Sequence, residues 1–495
     1  MLATIVGRVG FLGRLRYLIW VRYQHRLIQF TMVTAAIGLT LVSAFLLEKN
    51  LILGMLPMVG FVGLFAAILF YYQMEATALL IIVTSTILKE GVSTGTETKI
   101  TFTFIMLALT SFLWIFRLIF VKSSRGLRPS PANTPAILFI VVVLISLFWS
   151  TVFVDYAVSF RYAENVKPRL MSTVAFVLSP MAYLLYANLV HSDKGIRFFV
   201  IWFVVVGGIF AIFRLANALP PIFNDRGQMP VWVAALAGGQ ALFNRNLKPW
   251  MILALLAITG MWGYSQFALG ITWLSGWLPL ALVLGLFLFI RSWRLFLVFV
   301  AIGAFVMVLN LDSVMETFNA ENDESGHTRL DAWIQIIELS RDHLLFGVGP
   351  TGYAPYLWTY VGDFMATHNN YLDMLAQLGV VGFFLYIWFW FAVVWFAWKT
   401  YRIAPRNGFY HGLAVALLAS NIATLAISAL GDWVIPFAYT QGIAGIDYTI
   451  WPWLLAGLTV ATHYQMRSQI ERELETVAPE SLPAGYVVSL PAHTT

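Results

Sequence analysis

Long apolar stretches recur along almost the whole chain, and this pattern constrains the fold more than any other feature. A helix that crosses a bilayer needs about 20 apolar residues. The pattern predicts spans near 27–47, 51–72, 76–89, 100–121, 135–154, 171–190, 196–214, 229–243, 249–265, 267–290, 294–310, 368–398, 410–430 and 450–464. Two of these are short and two nearly touch, so we expect about 12–14 transmembrane helices. The predicted fold class is an all-α polytopic membrane protein.

Composition supports this class and excludes several kinds of site. Charged residues make up only 11% of the 495 residues, and 60% are hydrophobic, whereas about 25% of residues are charged in soluble domains. There is no cysteine, which excludes disulfides, thiol nucleophiles and Cys-ligated metals. The net charge of +6 fits a membrane protein with basic inner loops and gives no reason to expect a nucleic acid partner.

Basic residues predict the orientation of the spans. Every second loop after the fourth span contains at least two of the following: Lys122, Arg125, Arg128, Lys194, Arg197, Arg245, Lys248, Arg291, Arg294, Lys399, Arg402, Arg406, Arg467 and Arg472. The positive-inside rule assigns these loops and both termini to the cytoplasm. The segments 155–170, 215–230, 311–367 and 431–449 are then extracytoplasmic.

The predicted organisation has five parts. Residues 1–26 form a basic amphipathic segment on the cytoplasmic face, without the apolar core and cleavage site of a signal peptide. Membrane helices occupy 27–310 and 368–464, on either side of a large outer loop at 311–367. Residues 465–495 are polar and contain prolines, which predicts a disordered cytoplasmic tail.

The large outer loop is predicted to contain an interfacial amphipathic helix. Thr328 is a candidate N-cap, with an acidic residue three positions later. The helical spacing assigns an apolar face to Leu330, Trp333, Ile334 and Ile337, and a polar face to Asp331, Gln335, Glu338 and Arg341. The segment 347–352 then predicts a turn towards the membrane. Its G-x-G-x-x-G spelling does not indicate a nucleotide site, because no strand precedes it.

His368 lies where this loop re-enters the membrane, at the start of the span 368–398. A helix N-terminus favours anions and neutral imidazole, and an unperturbed histidine titrates near neutral pH, so His368 is a candidate functional residue. The alternative is an interfacial histidine bonded to headgroups or water. One helical face is predicted for His368, Leu372, Leu375, Gly379 and Gly382, where the glycines would let another helix or a lipid tail approach.

Arginines in the outer segments run against the positive-inside bias. They are Arg161, Arg169, Arg226, Arg329 and Arg341. Guanidinium binds phosphate through two parallel hydrogen bonds and stays protonated, which suits a lipid pyrophosphate at a membrane surface. The alternative for each arginine is a solvated or headgroup-paired charge.

Several short motifs resemble a known family. His-Asn at 368–369, followed after nine residues by Gly-Val-Val-Gly at 379–382, resembles the signature of the O-antigen ligase and O-antigen polymerase superfamily. The stretches 329–333 and 347–350 resemble that family's large extracytoplasmic loop. The stretch 272–277 lacks the arginine that family members often carry there, so no role is assigned to it.

The resemblance implies a metal-independent, inverting glycosyltransferase without a cofactor. It would move a glycan from an undecaprenyl-pyrophosphate carrier to an acceptor hydroxyl on the periplasmic face of the bacterial inner membrane. His368 would be the general base, and Arg329 would stabilise the departing pyrophosphate. The residues expected to bind substrate are Arg226, Arg161, Arg169 and Asn369.

The acceptor and the class of function have alternatives. We favour a repeat-unit polymerase in O-antigen or exopolysaccharide assembly, and the alternative is a ligase that uses lipid A–core. Membrane lipids, a chain-length regulator and a flippase are the expected partners. A glycolipid flippase or secondary transporter is the alternative of another class, but the spans are nearly free of the charged residues that transporters use. A structural scaffold would leave the outer arginines unexplained.

Overall fold

The computed structural model describes most of the chain after residue 69. The described residues are 70–88, 91–93, 99–121, 126–164, 166–218, 220, 227–269, 274–309, 311, 329–362, 364 and 366–477. The elements named below lie in the second of the two compact units into which the chain divides, Met74–Thr495. Nearly all of their regular structure is helical.

The described helices follow one another along the chain. They are α1 (Met74–Ile87), α2 (Phe102–Phe120), α3 (Asn133–Val152), α4 (Ser159–Glu164), α5 (Val166–Leu189), α6 (Asp193–Leu215), α7 (Met229–Phe243), α8 (Pro249–Tyr264), α9 (Leu274–Arg291), α10 (Trp293–Leu309), α11 (Arg329–Asp342), α12 (Tyr353–Tyr360), α13 (Asn370–Ile403), α14 (Phe409–Leu430), α15 (Ala438–Gln441), α16 (Ile446–Thr449) and α17 (Trp451–Val477). A π-helical turn, Ser265–Leu269, continues α8. Between α1 and α2, the strands β1 (Gly91–Ser93) and β2 (Lys99–Thr101) form an antiparallel hairpin.

Among the residues described, eight helices are long and apolar enough to cross a membrane. A ninth span results if the bent pair Ile443–Thr449 and Trp451–Leu474 is counted as one. The helices α1, α7 and α10 are apolar but shorter. Every predicted span from 76–89 onward overlaps a described helix; the largest differences are the start of α9 at Leu274 and the end of α17 at Val477. The chain is therefore an all-α polytopic membrane protein.

The ends of the chain differ from the prediction or lie outside the described residues. The N-terminal segment 1–26, the span 27–47 and most of the span 51–72 fall outside them. The helix α17 continues to Val477, although the prediction placed a disordered tail from residue 465. Arg467 and Glu471 pair at 3.0 Å on this extension, one helical turn apart. Such pairs support a polar helix that hydropathy alone does not reveal.

The most buried long spans form the centre of the unit. The apolar windows of α5 and α14 are 78% and 72% buried. The helix α5 packs along α17, and α14 packs along α7. Small residues permit these contacts, since a Cβ at Gly457 would lie 2.5 Å from the Tyr183 carbonyl oxygen and one at Gly239 2.7 Å from that of Gly412. By contrast, α10 has no buried residue. The closely packed central helices are the scaffold from which the loops project.

Candidate functional site

Segments far apart in the chain meet at one end of the helices. Residues 329–362, here called the loop module, contain α11, the following turn and α12. A buried cluster joins the loop module to α4, to the start of α13 and to the segment before α15, through Val158, Tyr162, Ile336, Val348, Tyr353, Tyr356, Leu357, Ala376 and Phe437. Parts of three segments predicted to be extracytoplasmic therefore contact one another directly.

The helix α11 docks by a different face from the predicted one. Its buried side chains include Ala332 and Ile336. Leu330, Ile334 and Ile337, which were predicted to form the apolar face, are exposed. The small Ala332 permits close packing on the protein, and contact of the exposed apolar face with the membrane interface stays a prediction.

The turn of the loop module crosses α13 at a break in that helix. Gly379 has φ 66° and ψ −170°, so the helical hydrogen-bond pattern is interrupted there. The loop replaces the missing partners: Val348 N donates to the Ala376 carbonyl at 2.9 Å, and Val380 N donates to the Leu344 carbonyl at 2.8 Å. In α3, the Ser146 hydroxyl contacts the carbonyls on both sides of the crossing.

Glycine is required on both sides of this crossing. A Cβ at Gly347 would lie 2.4 Å from the Ala376 carbonyl oxygen, and one at Gly379 would lie 2.3 Å from that of Leu345. Both glycines also have positive φ, which other residues rarely adopt. The neighbour of Gly379 is thus the backbone of the loop module, rather than the helix or lipid tail that we predicted.

His368 lies just before α13 and beside a buried carboxyl group. Its Nδ1 is 3.3 Å from Oδ2 of Asp432, whose side chain is 1% exposed, while the His368 side chain is 44% exposed. His368 has φ 47° and precedes the N-cap Asn369. The prediction that His368 shares a helical face with Gly379 is therefore wrong, because the helix begins after His368 and breaks at the glycine.

Two asparagines hold this arrangement in place. The Asn369 side chain caps α13 by accepting from Tyr371 N at 3.0 Å, and the residue is only 8% exposed. Asn370 donates to the Ile435 carbonyl at 2.9 Å and accepts from Val434 N at 3.1 Å. Asn370 therefore ties the chain after α14, which contains Asp432, to the start of α13. These bonds position Asp432 against His368.

A second buried carboxyl group adjoins the first. Asp373 Oδ1 accepts hydrogen bonds from the Tyr353 and Thr367 hydroxyls, both at 2.8 Å. Asp373 also hydrogen-bonds to Asp432. Trp333 of α11 donates to the Thr367 carbonyl at 2.9 Å, which connects the loop module to this cluster. The site thus has a histidine, two carboxyl groups and a phenol in contact.

The predicted arginines take up different positions. Arg169 is 5% exposed; its Nη2 donates to Ser150 and Thr151 at 3.1 Å each. Its guanidinium lies 3.8 Å from the ring centroid of Tyr162. Burial raises the pKa of the Tyr162 phenol, and Arg169 lowers it; the phenol donates to the Val348 carbonyl. Arg169 therefore stabilises Tyr162, the residue to which Val348 of the loop module is hydrogen-bonded.

Arg161 is exposed and lines an open pocket of about 410 Å³ with Phe160, Glu164 and Trp358. Arg329 is the first residue of α11. Arg226 lies outside the described residues. Of the predicted site residues, the structure thus brings His368 and Asn369 together at the start of α13. Arg169 lies apart from them, against Tyr162.

The sequence interpretation missed Asp373 and Tyr353, and it noted Asp432 only as a charge at a span boundary. Asp373 was visible as an acidic residue five positions after His368, inside the apolar run 368–398. An ionisable residue within a span indicates a functional site. Tyr353 gave no such signal, since aromatic residues are common throughout this chain. Among the described residues, no group of three or more His, Asp or Glu could hold a metal ion.

Comparison with known proteins identifies the region that contains the site. Residues 251–387 match the family model described as O-Antigen ligase. The match includes the loop module, His368, Asn369, Asn370 and the break at Gly379. No curated protein matches the chain. This match and the many-helix membrane fold support the resemblance to the O-antigen ligase and polymerase superfamily.

Proposed function

We propose that the protein transfers a glycan from an undecaprenyl-pyrophosphate carrier to an acceptor hydroxyl, with His368 as the general base. The family supports ligase- or polymerase-type glycosyltransferase activity. The observation that carries the proposal is the contact of His368 Nδ1 with the buried Asp432 carboxyl at 3.3 Å. When Nδ1 donates to a carboxylate, Nε2 is the nitrogen left to accept a proton.

The proposed step is a direct displacement. The acceptor hydroxyl gives its proton to His368 Nε2 while its oxygen attacks the anomeric carbon. The bond from that carbon to the pyrophosphate oxygen breaks, and the carrier pyrophosphate leaves with the electron pair. Attack opposite the leaving group inverts the anomeric centre. Asp432 stabilises the imidazolium that forms, because a nearby carboxylate favours the charged ring.

Arginines are proposed to take the role of a cation at the leaving group. Arg329 would stabilise the charge on the departing pyrophosphate, and Arg226 would bind it. Arg169 and Asn369 already have internal partners, so we now assign them the tasks of seating the loop module and capping α13. Arg161 shares its pocket with a carboxylate and two aromatic rings. Aromatic faces and paired polar groups suit a sugar better than a diphosphate, so we assign Arg161 to the glycan.

The proposed location is the periplasmic side of the bacterial inner membrane. The acceptor is a second carrier-linked repeat unit in the polymerase form of the proposal and lipid A–core in the ligase form. A chain-length regulator and a flippase are proposed partners. A reporter fused within the outer loop should be extracytoplasmic, and one fused at 401–409 should be cytoplasmic. The opposite labelling would overturn the assignment of the site to the periplasm.

The deciding experiment uses purified protein in detergent with donor lipid, both acceptors and a chelator. Wild-type protein should elongate or transfer the glycan without a membrane gradient, and the acceptor that is consumed distinguishes polymerase from ligase. His368→Ala should bind the donor lipid but not transfer its glycan. If the wild type is inert here yet moves glycolipid across sealed vesicles, the protein is a flippase and the transferase proposal fails.

A further inference from the structure

Two carboxyl groups lie in hydrogen-bond contact behind His368. Asp373 is 2% exposed and Asp432 is 1% exposed. Asp373 hydrogen-bonds to Asp432, and Asp432 contacts His368. Asp432 therefore lies between Asp373 of α13 and the exposed imidazole of His368.

A hydrogen bond between two carboxyl groups needs a proton on one of them. Two buried carboxylates in contact repel each other strongly, which is why such pairs hold a shared proton. The titratable groups that interact with the Asp373 carboxyl from the surrounding elements are Tyr353 on α12, Tyr386 on α13 and Asp432. Phenols are ordinarily neutral at pH 7. The negative charge at the pair therefore lies directly beside the positive charge that forms on His368.

Two hydrogen bonds hold the Asp373 carboxyl group in one orientation. Tyr353 and Thr367 both donate to Oδ1. With Oδ1 occupied by two donors, Oδ2 is the oxygen that can carry a proton towards Asp432. Tyr353 belongs to the loop module, and Thr367 is hydrogen-bonded to Trp333 of the same module. Both donors therefore depend on the docking of the loop.

We propose that Asp373 is a positioning residue for glycan transfer, which holds the shared proton and directs a single carboxylate charge on Asp432 towards His368. This inference rests on the proposed function. The Asp373 proton stays in place during the reaction: the acceptor proton moves to His368, and the new positive charge is balanced by the one negative charge of the pair. The docked loop thereby sets the charge that the base experiences.

The test compares Asp373→Asn, Asp373→Ala and Asp432→Asn by the pH dependence of kcat/KM, in detergent with the lipid-linked donor. Asparagine matches a protonated carboxyl in shape and charge, donates to Asp432 and accepts from Tyr353. Asp373→Ala should lower kcat at least about fivefold with little change in KM, and Asp373→Asn should recover most of that loss. The pH at which kcat/KM halves on the acidic side should stay near the wild-type value in Asp373→Asn. In Asp432→Asn it should fall by about one pH unit, because the carboxylate partner is lost.

Two results would overturn the inference. A downward movement of about one pH unit in Asp373→Asn would mean that Asp373 carries its own negative charge. Full activity in Asp373→Ala would mean that it positions nothing. Glu338→Gln, which removes an exposed carboxylate from α11, is the matched control and should have the wild-type profile.

A second readout does not depend on transfer. The infrared absorption of protonated carboxyl groups at pH 7 should be weaker in Asp373→Asn than in the wild type. If the band weakens as expected while the wild type transfers no glycan, the proposed function fails and the shared proton stands. If the wild type is active and the band is unaffected by Asp373→Asn, the shared-proton assignment fails by itself.

Discussion

Two histidine–carboxylate pairs in the described part of the chain differ in what the carboxylate does. His191 Nδ1 is 3.6 Å from Glu75 Oε2, a distance close to that of His368 and Asp432. Glu75, however, also accepts from His191 N and from both the amide and the hydroxyl of Ser192. Ser192 is the N-cap of α6, so this carboxylate joins a turn to a helix end.

Asp432 is surrounded differently. It is buried against a second carboxyl group, and it contacts His368. The comparison teaches that distance between a histidine and a carboxylate does not identify a base. What distinguishes His368 is a buried carboxylate behind a ring that remains accessible to a substrate.

The largest effect should separate the two histidines. His368→Ala should lower the rate of glycan transfer about 10²–10⁴-fold, which is the usual contribution of a positioned base. His191→Ala should leave transfer unchanged. Both rates are measured with purified protein, with the binding of donor lipid as a check on folding. Similar losses in the two variants would show that His368 has no special role.

Arginines of the loop module should show the next largest effect. Arg329→Lys keeps the charge but loses the paired hydrogen bonds. The rate of transfer should therefore fall, with a rise of about 1.5–3 kcal/mol in activation free energy. Arg341→Lys, on the exposed end of the same helix, should retain wild-type activity. Arg128, in a loop predicted to be cytoplasmic, is unsuitable as a control because it donates to the Ala187 and Val190 carbonyls. Tolerance of lysine at Arg329 would return it to a solvated charge.

Loss of the carboxylate should reduce glycan transfer at Asp432 but not at Glu75, as for the histidines that they contact. Asp432→Asn should lower transfer about tenfold, since it removes a charged hydrogen bond to His368. Glu75→Gln keeps an oxygen that accepts from Ser192, so transfer and thermal stability should both stay close to wild type. A stability loss in Asp432→Asn as large as its activity loss would indicate that this pair, too, is only structural.

The smallest effect concerns a third histidine, His343, which packs against Tyr356 in the loop module with ring centroids 5.0 Å apart. Burial lowers the pKa of His343, while Asp155 and Asp342 raise it. The unfolded chain therefore takes up this proton at a higher pH than the folded protein. Stability should be highest above about pH 6.5 and decline as the pH falls towards the folded pKa. His343→Phe should reduce the acid-induced decrease in Tm by about 1–2 °C; an unchanged pH dependence would contradict this.

The sequence predicted the helices well because hydropathy is a local property. The span at 229–243 was placed at the bounds that α7 has, and the loop helix and the turn at 347–352 were also expected. Local patterns do not report long-range contacts. Gly379 was assigned to a continuous helix, because nothing nearby in the sequence shows that residues 344–349 replace its hydrogen bonds.

The site was predictable in part for the same reason. His368 was found because it stands at a span boundary, which is readable from the sequence. Its pairing with Asp432 depends on Asn370 holding a segment more than sixty residues away. Asn369 and Arg169 were selected for chemistry that suits substrate binding, but the fold uses the first as a helix cap and the second beneath Tyr162. Residue type alone cannot distinguish these uses.

The crossing at Gly379 has a consequence for how substrates arrive. Lifting the turn of the loop module away from α13 would leave the amides and carbonyls on both sides without partners, and each such group costs about 1–3 kcal/mol when buried. Several such bonds oppose the opening of the loop at this crossing. If the proposed lipid-linked donor is the substrate, we therefore expect it to enter and leave sideways between helices rather than under a lifting flap.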